Sequence, residues 1–179
     1  MSQKIASLAL AATTVLAVAF PAASQTATRK DSKTDWSIFV EEPPAVQQKT
    51  CWLASAPSKV ENTRNGAPAE VNRGEIVLFV MYQPGEGITG EVSFASGYPF
   101  PENATVDLQI GSARYSLWTK EETAYSLDPE VDTQIHESMK RGAEAVVTGR
   151  SARGTDTKDT FLLNGFTAAI EEIEQLCGA

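Results

Sequence analysis

The feature that most limits the fold of this chain is a series of short strand-like runs. Residues 36–40, 51–54, 75–82, 91–94, 105–110, 115–118, 145–149 and 160–163 are rich in β-branched and aromatic residues and are bounded by Gly, Pro or Asn. Such residues fit a pleated, half-buried surface. Runs this short and this regularly spaced predict a mainly β fold, an antiparallel β-sandwich or partly open barrel, over alternating strand and helix units.

Two stretches break the pattern. Asp128 suits an N-cap, Pro129 the first helical position, and Gly142 follows the basic Lys140 and Arg141. Together they predict an internal helix from Pro129 to Lys140, with Val131, Ile135 and Met139 as its inner stripe. Further on, Asn164 is the expected cap of a C-terminal helix. Phe166, Ile170, Ile173 and Cys177 then recur at helical spacing, while Glu171, Glu172 and Glu174 take the wet side. Cys177 is thereby expected to face inward.

At the other end, Met1 and Lys4 precede an uncharged apolar run over residues 5–20, and Pro21-Ala22-Ala23-Ser24 follows it. A basic start, an apolar stretch and small residues at a cleavage site are the layout of a secretory signal peptide. A spanning helix needs about 20 apolar residues, and this run is interrupted by Ser7, Thr13 and Thr14 before it meets proline. The expected organisation is a signal peptide over residues 1–24, a flexible segment over 25–34 and a single β-rich domain over 35–179. Cleavage is expected after Ser24, and with no cysteine following that site a lipid anchor is not expected. The remaining chain of about 155 residues is long enough for one core.

Export gives the two cysteines their meaning. In an oxidising compartment an even count is normally paired, so Cys51 and Cys177 are expected to form a disulfide, with two free thiols as the alternative. The bond would close a loop of over a hundred residues, for which chain entropy suggests about 4 to 5 kcal/mol. The formal charge is −8, and loss of Lys4 with the leader makes it more negative. Phosphate backbones and anionic lipid faces repel such a chain, which argues against nucleic acid or bulk membrane as its partner.

Motifs with catalytic or cofactor meaning fail on context. Gly85-Glu86-Gly87-Ile88-Thr89-Gly90 matches G-x-G-x-x-G, but Glu91-Val92-Ser93-Phe94 restarts strand alternation where a dinucleotide loop must open a helix. A flexible hairpin connection is expected there, and no cofactor. Gly149-Arg150-Ser151-Ala152-Arg153-Gly154 is one residue longer than a nucleophile elbow. The lone His136 falls on the internal helix as a solvated or boundary residue, and one histidine is too few for a zinc site, so no metal is expected. Glu41-Glu42 and Glu121-Glu122 are expected as solvated charge at strand ends. Trp36, Trp52 and Trp118 are expected in the core or on a sheet face, Trp118 partly exposed.

One local departure in charge stands out. Between positions 140 and 159, Lys140, Arg141, Arg150, Arg153 and Lys158 outnumber Glu144, Asp156 and Asp159. Ordinary helix-end and loop charge would account for it. The sharper expectation is a binding face built from Arg150, Arg153 and Lys158 for a small anion or an acidic partner, with Arg suited to bidentate contact.

The leader, Asp35-Trp36-Ser37-Ile38-Phe39-Val40, Cys51-Trp52, Gly97-Tyr98-Pro99-Phe100 and Met139-Lys140-Arg141-Gly142 occur in that order. Ser151-Ala152-Arg153-Gly154-Thr155 and Phe161-Leu162-Leu163-Asn164-Gly165-Phe166-Thr167-Ala168-Ala169 follow. This succession resembles the invasion-associated locus B family of exported, mainly alphaproteobacterial, Gram-negative proteins. The resemblance implies a small periplasmic or envelope protein, in some pathogens associated with host-cell entry, without agreed enzymatic activity and without catalytic residues to carry over. Outer-membrane association and secretion stay open beside the periplasm.

Two functions of different class are therefore weighed. One is a non-enzymatic envelope binding or interaction protein, with an envelope protein or an anionic ligand as partner. The other is a cryptic hydrolase of an envelope polymer, which would need two acids from Glu121, Glu122, Asp128 or Glu130 to converge in a cleft.

Overall fold

The structure is a computed structural model that describes residues 27–41 and 49–177. Within them the elements in chain order are β1 (Thr28–Lys33), β2 (Trp36–Glu41), β3 (Thr50–Ser55), β4 (Lys59–Arg64), β5 (Ala67–Pro68), β6 (Val77–Gln83) and β7 (Ile88–Ala95). After them come β8 (Thr105–Ile110), β9 (Ala113–Lys120), β10 (Thr123–Tyr125), α1 (Pro129–Arg141), β11 (Glu144–Arg150), β12 (Asp156–Leu162) and α2 (Phe166–Cys177). All the strands join one sheet in the order β1-β2-β3-β6-β7-β10-β9-β8-β11-β12-β4-β5. Every neighbouring pair is antiparallel. The mainly β, antiparallel architecture with an internal and a C-terminal helix is thus the one the strand runs predict, and its sheet is not closed.

The sheet folds back on itself. β3 and β4 are separated by seven strands in the sheet, yet only residues 56–58 join them along the chain. At about 3.5 Å per residue such a link cannot span an open sheet, so the two halves must face each other. Their inner faces meet in one core, where Phe94 of β7 packs edge to face on Phe161 of β12 with ring centroids 6.1 Å apart. Leu53, Leu78 and Val80 line one half, and Val106, Leu108 and Leu117 the other, all fully buried. Each such side chain contributes about 1.5 to 3 kcal/mol relative to exposure.

Four strands escape the sequence pattern, each for a physical reason. β1 arises within the segment expected to be flexible. Its residues are polar and charged, so no alternation marks it, and it is held by pairing with β2 and by the Lys33–Glu172 ion pair at 2.8 Å. β4 is equally polar because neither of its faces is fully buried. β5 and β10 are too short to show a period. Both sheet edges are poor templates for further pairing: β1 carries charges and an irregular register, and β5 ends in a proline that cannot donate.

The helices seal the core. Asp128 accepts from the Glu130 N–H at 2.8 Å and caps α1, and Ile135 and Met139 turn inward as expected, joined by Asp132. In α2, Phe166, Ile170, Ile173 and Cys177 are buried, and Phe166 meets Trp36 edge to face at 5.0 Å. Asn164, the expected cap, gives its backbone carbonyl to the Asp35 N–H, and the turn into α2 is made by Gly165 at φ +88° against the Lys33 backbone. Cys177 is bonded to Cys51 of β3, with Cα atoms 6.3 Å apart across 126 positions of sequence. The expected staple is present.

Candidate functional site

One groove is a cleft of about 440 Å³ built from four separated stretches. They are the end of β4, the irregular chain between β5 and β6, the turn after β7, and the hairpin turn joining β11 to β12. Backbone contacts lock these together. The Gly74 N–H donates to the Gly97 carbonyl at 2.8 Å, and the Ala152 N–H to the Pro99 carbonyl at 2.9 Å. Gly97 sits at φ +69°, where a Cβ would come within 2.6 Å of the Gly74 carbonyl oxygen, so the approach requires glycine.

The floor is a buried charge pair. Arg73 donates from Nη1 and Nη2 to the two carboxylate oxygens of Asp159 at 2.8 and 2.6 Å, and from Nε and Nη2 to the Ser96 carbonyl at 3.0 and 2.8 Å. The guanidinium also lies 4.9 Å from the centre of the Tyr98 ring. Burial pushes the Asp159 carboxyl above its ordinary value, and Arg73 pulls against it by hydrogen bonding and by charge. The Tyr98 hydroxyl shares a 2.7 Å hydrogen bond with Thr157 Oγ1, and burial pushes that phenol up as well.

The mouth is basic. Arg64 Nη2 donates to Thr155 Oγ1 at 2.9 Å, and the Thr155 N–H donates to Ser151 Oγ at 3.1 Å. Arg153 is exposed on the hairpin turn and makes no hydrogen bond or ion pair among the described residues. Glu70 is the acid on the lining.

The basic residues singled out in the sequence are divided between two grooves and α1. Arg153 lines the cleft, whereas Arg150 and Lys158 point to the opposite side of β11 and β12. There Arg150 pairs with Asp156 at 2.8 Å, and Lys158 lies 3.9 Å from Glu61. That outer groove, about 530 Å³, also holds Asp107, so its acids, Glu61, Asp107 and Asp156, outnumber its two bases. Lys140 and Arg141 bind Glu137 on α1, at the far end of β11. Alternation puts Arg150 and Lys158 on the outer faces of β11 and β12, while the turn between the strands carries Arg153 to the cleft, a division invisible to a charge count.

Other candidates resolve plainly. Residues 84–86 form a single 3-10 turn, Gly87 is left-handed and β7 follows, so the G-x-G-x-x-G stretch is a hairpin connection. Ser151 is buried and bonded to Thr155, with no histidine beside it. His136 sits half-buried at the boundary between α1 and α2, its ring 6.3 Å from Phe166. Glu121 and Glu122 occupy the β9–β10 turn, while Asp128 and Glu130 lie at the start of α1, and none of the four lines the cleft. Glu42 and the leader fall outside the described residues. Trp36 is core, Trp52 stacks on Phe39 at 5.5 Å on the outer sheet face, and Trp118 is 51% exposed. Among the described residues no group of three or more His, Cys, Asp or Glu could hold a metal ion, and no helix is long and apolar enough to cross a membrane.

Comparison with known proteins bears on the same residues. Residues 36–174 match the family described as invasion associated locus B (IalB) protein. The chain belongs to the invasion associated locus B family. No curated protein and no solved structure matches it. The family match spans every stretch that builds the cleft, including Gly97-Tyr98-Pro99 and Ser151 to Thr155, and stops short of β1 and Cys177. Membership in the IalB family brings no known enzyme class with it.

Sequence reading missed Arg73, Asp159 and Arg64 as site residues. A signal for Asp159 existed: it falls between Thr157 and Phe161 at the inward parity of β12, where an acid requires a partner. Arg73 lies in a stretch without period and carried none.

Proposed function

We propose that this protein is an exported, non-enzymatic binding protein of the bacterial envelope, working in the periplasm, and that the cleft is its binding site. The observation that carries the reading is Arg153. It is an exposed guanidinium without a partner among the described residues, at the mouth of a cleft whose other polar groups are largely bonded to one another. A site of this kind is held ready for an anionic group before the ligand arrives, and pre-organisation favours binding. Nucleophilic chemistry would need a serine or threonine beside a base. Ser151 accepts from a backbone N–H and Thr157 shares its hydroxyl with Tyr98. The leader-like residues 1–24 and the Cys51–Cys177 bond support an extracytoplasmic setting.

The test is capture from periplasmic extract by the immobilised exported chain, compared with an Arg64→Ser/Arg153→Ser variant. Both positions are exposed, so the variant is expected to fold normally while losing its captured partners. Equal capture by the two proteins would place binding elsewhere.

A further inference from the structure

The cleft specifies more than negative charge. Two arginines line its mouth, because β4 pairs with β12 and brings Arg64 beside Thr155, two residues from Arg153. The single hydrogen bond to Thr155 aims Arg64 and leaves most of its five N–H donors for another acceptor. Two guanidinium forks on one lining suit the paired oxygens of a carboxylate. Val71, Pro99 and Ala152 provide an apolar wall, which an inorganic anion would leave unused.

The third component is backbone. Residues 69–76 belong to no strand, and along the cleft Glu70, Val71 and Asn72 make no backbone hydrogen bond among the described residues. Open N–H and C=O groups beside a groove can pair with the main chain of a peptide. A carboxylate fork, an apolar wall and open backbone occur together in the demands of one ligand, the last residues of a peptide chain.

We infer that the cleft captures the C-terminus of a peptide or protein, a reading that rests on the cleft being the binding site. The terminal carboxylate sits on Arg64 and Arg153, an apolar last side chain lies against Val71, Pro99 and Ala152, and the preceding residue pairs with the backbone of Glu70 to Asn72. Glu70 stands on the same lining and repels an acidic side chain in the penultimate positions. The cleft, about 440 Å³, falls in the range of about 300 to 1,000 Å³ typical of pockets that bury small ligands.

The experiment uses the exported chain and fluorescein-labelled hexapeptides of the form Gly-Ser-Gly-Ser-Ala-X, with X as Val, Leu, Phe, Asp or Lys. Each is made as the free acid and as the C-terminal amide, and binding is read by fluorescence polarisation. Free acids ending in Val, Leu or Phe are expected to bind, and amidation or the Arg64→Ser/Arg153→Ser change to weaken them by at least about tenfold. Arg114→Ser, which alters an exposed arginine on β9, is expected to leave binding unchanged. Unlabelled N-acetylleucine should displace the peptides weakly, and inorganic phosphate less well still.

Equal binding of acid and amide, displacement by phosphate as effective as by N-acetylleucine, or no binding of any free acid overturns the assignment. Its failure is distinguishable from failure of the cleft itself. If partner capture from extract still depends on Arg64 and Arg153 while no free-acid peptide binds, the C-terminus assignment falls and the cleft stands. If capture does not depend on them either, both fall.

Discussion

Arg73 meets Asp159 through two parallel N–H···O bonds of 2.8 and 2.6 Å at a point where the side chains are only 5% and 0% exposed. The pair joins the irregular chain before β6 to the interior face of β12, and so fixes the floor of the cleft. Removing one partner would leave the other charge buried without compensation. Asp159→Ala is therefore expected to destabilise the fold by about 3 to 5 kcal/mol, and Arg73→Leu/Asp159→Leu by clearly less. Urea denaturation of the three proteins checks this, and a loss below about 1 kcal/mol for Asp159→Ala would show that water reaches the pair.

Cys51–Cys177 fastens the last turn of α2 to β3 across 126 positions. Alkylation without reductant is expected to leave both thiols unmodified. Replacing both cysteines by serine should cost about 5 kcal/mol on the chain-entropy account and fray the end of α2 first. Hydrogen exchange would report that order, and uniform loss of protection along the helix would contradict it.

Asp132 and His136 lie one turn apart on α1 and oppose each other in pH. Burial pushes the His136 imidazole down to about 4 from 6.5, with Lys140 adding to the effect and Gly90 and Glu137 opposing it. The unfolded chain thus binds the proton more tightly, and the His136 contribution to stability is lost as pH falls from 6.5 towards 4. Burial pushes the Asp132 carboxyl up to about 6 from 3.8, aided by Glu91 and Asp128 and opposed by its hydrogen bond from the Val92 N–H. The folded chain binds that proton more tightly, so stability is gained as pH falls from 6 towards 3.8. Relative to the native chain, Asp132→Asn should lose stability on acidification from pH 6.5 to 4, and His136→Gln should gain it. Thermal melts across that window decide the matter, and shifts of the same sign in both variants would refute the opposition.

Gly97 tests the wall of the cleft. With φ at +69° and a Cβ position 2.6 Å from the Gly74 carbonyl oxygen, Gly97→Val must push the two segments apart. The expected cost is at least about 1 to 3 kcal/mol from backbone strain alone, with loss of partner capture even where the fold survives. Gly66→Val serves as the control, since its backbone is also left-handed but nothing lies within 4 Å of the added Cβ. Equal losses at both positions would mean that the close approach to Gly74 adds nothing.

The sequence by itself determined what depends on near neighbours. Apolar alternation placed most of the strands, Asp128 and Pro129 placed the start of α1, and the spacing of Phe166, Ile170, Ile173 and Cys177 placed the buried face of α2. Only two cysteines were available, so their pairing needed no geometry. The tertiary structure alone decided which faces meet. β3 and β4 adjoin in the chain yet have seven strands between them in the sheet, and the cleft draws on Arg64, Arg73, Tyr98 and Arg153 from four separate stretches. Nothing local dictates those partners. Period reports which side of an element is buried, whereas the company a side chain keeps is set by long-range strand pairing, as when β4 brings Arg64 beside Thr155.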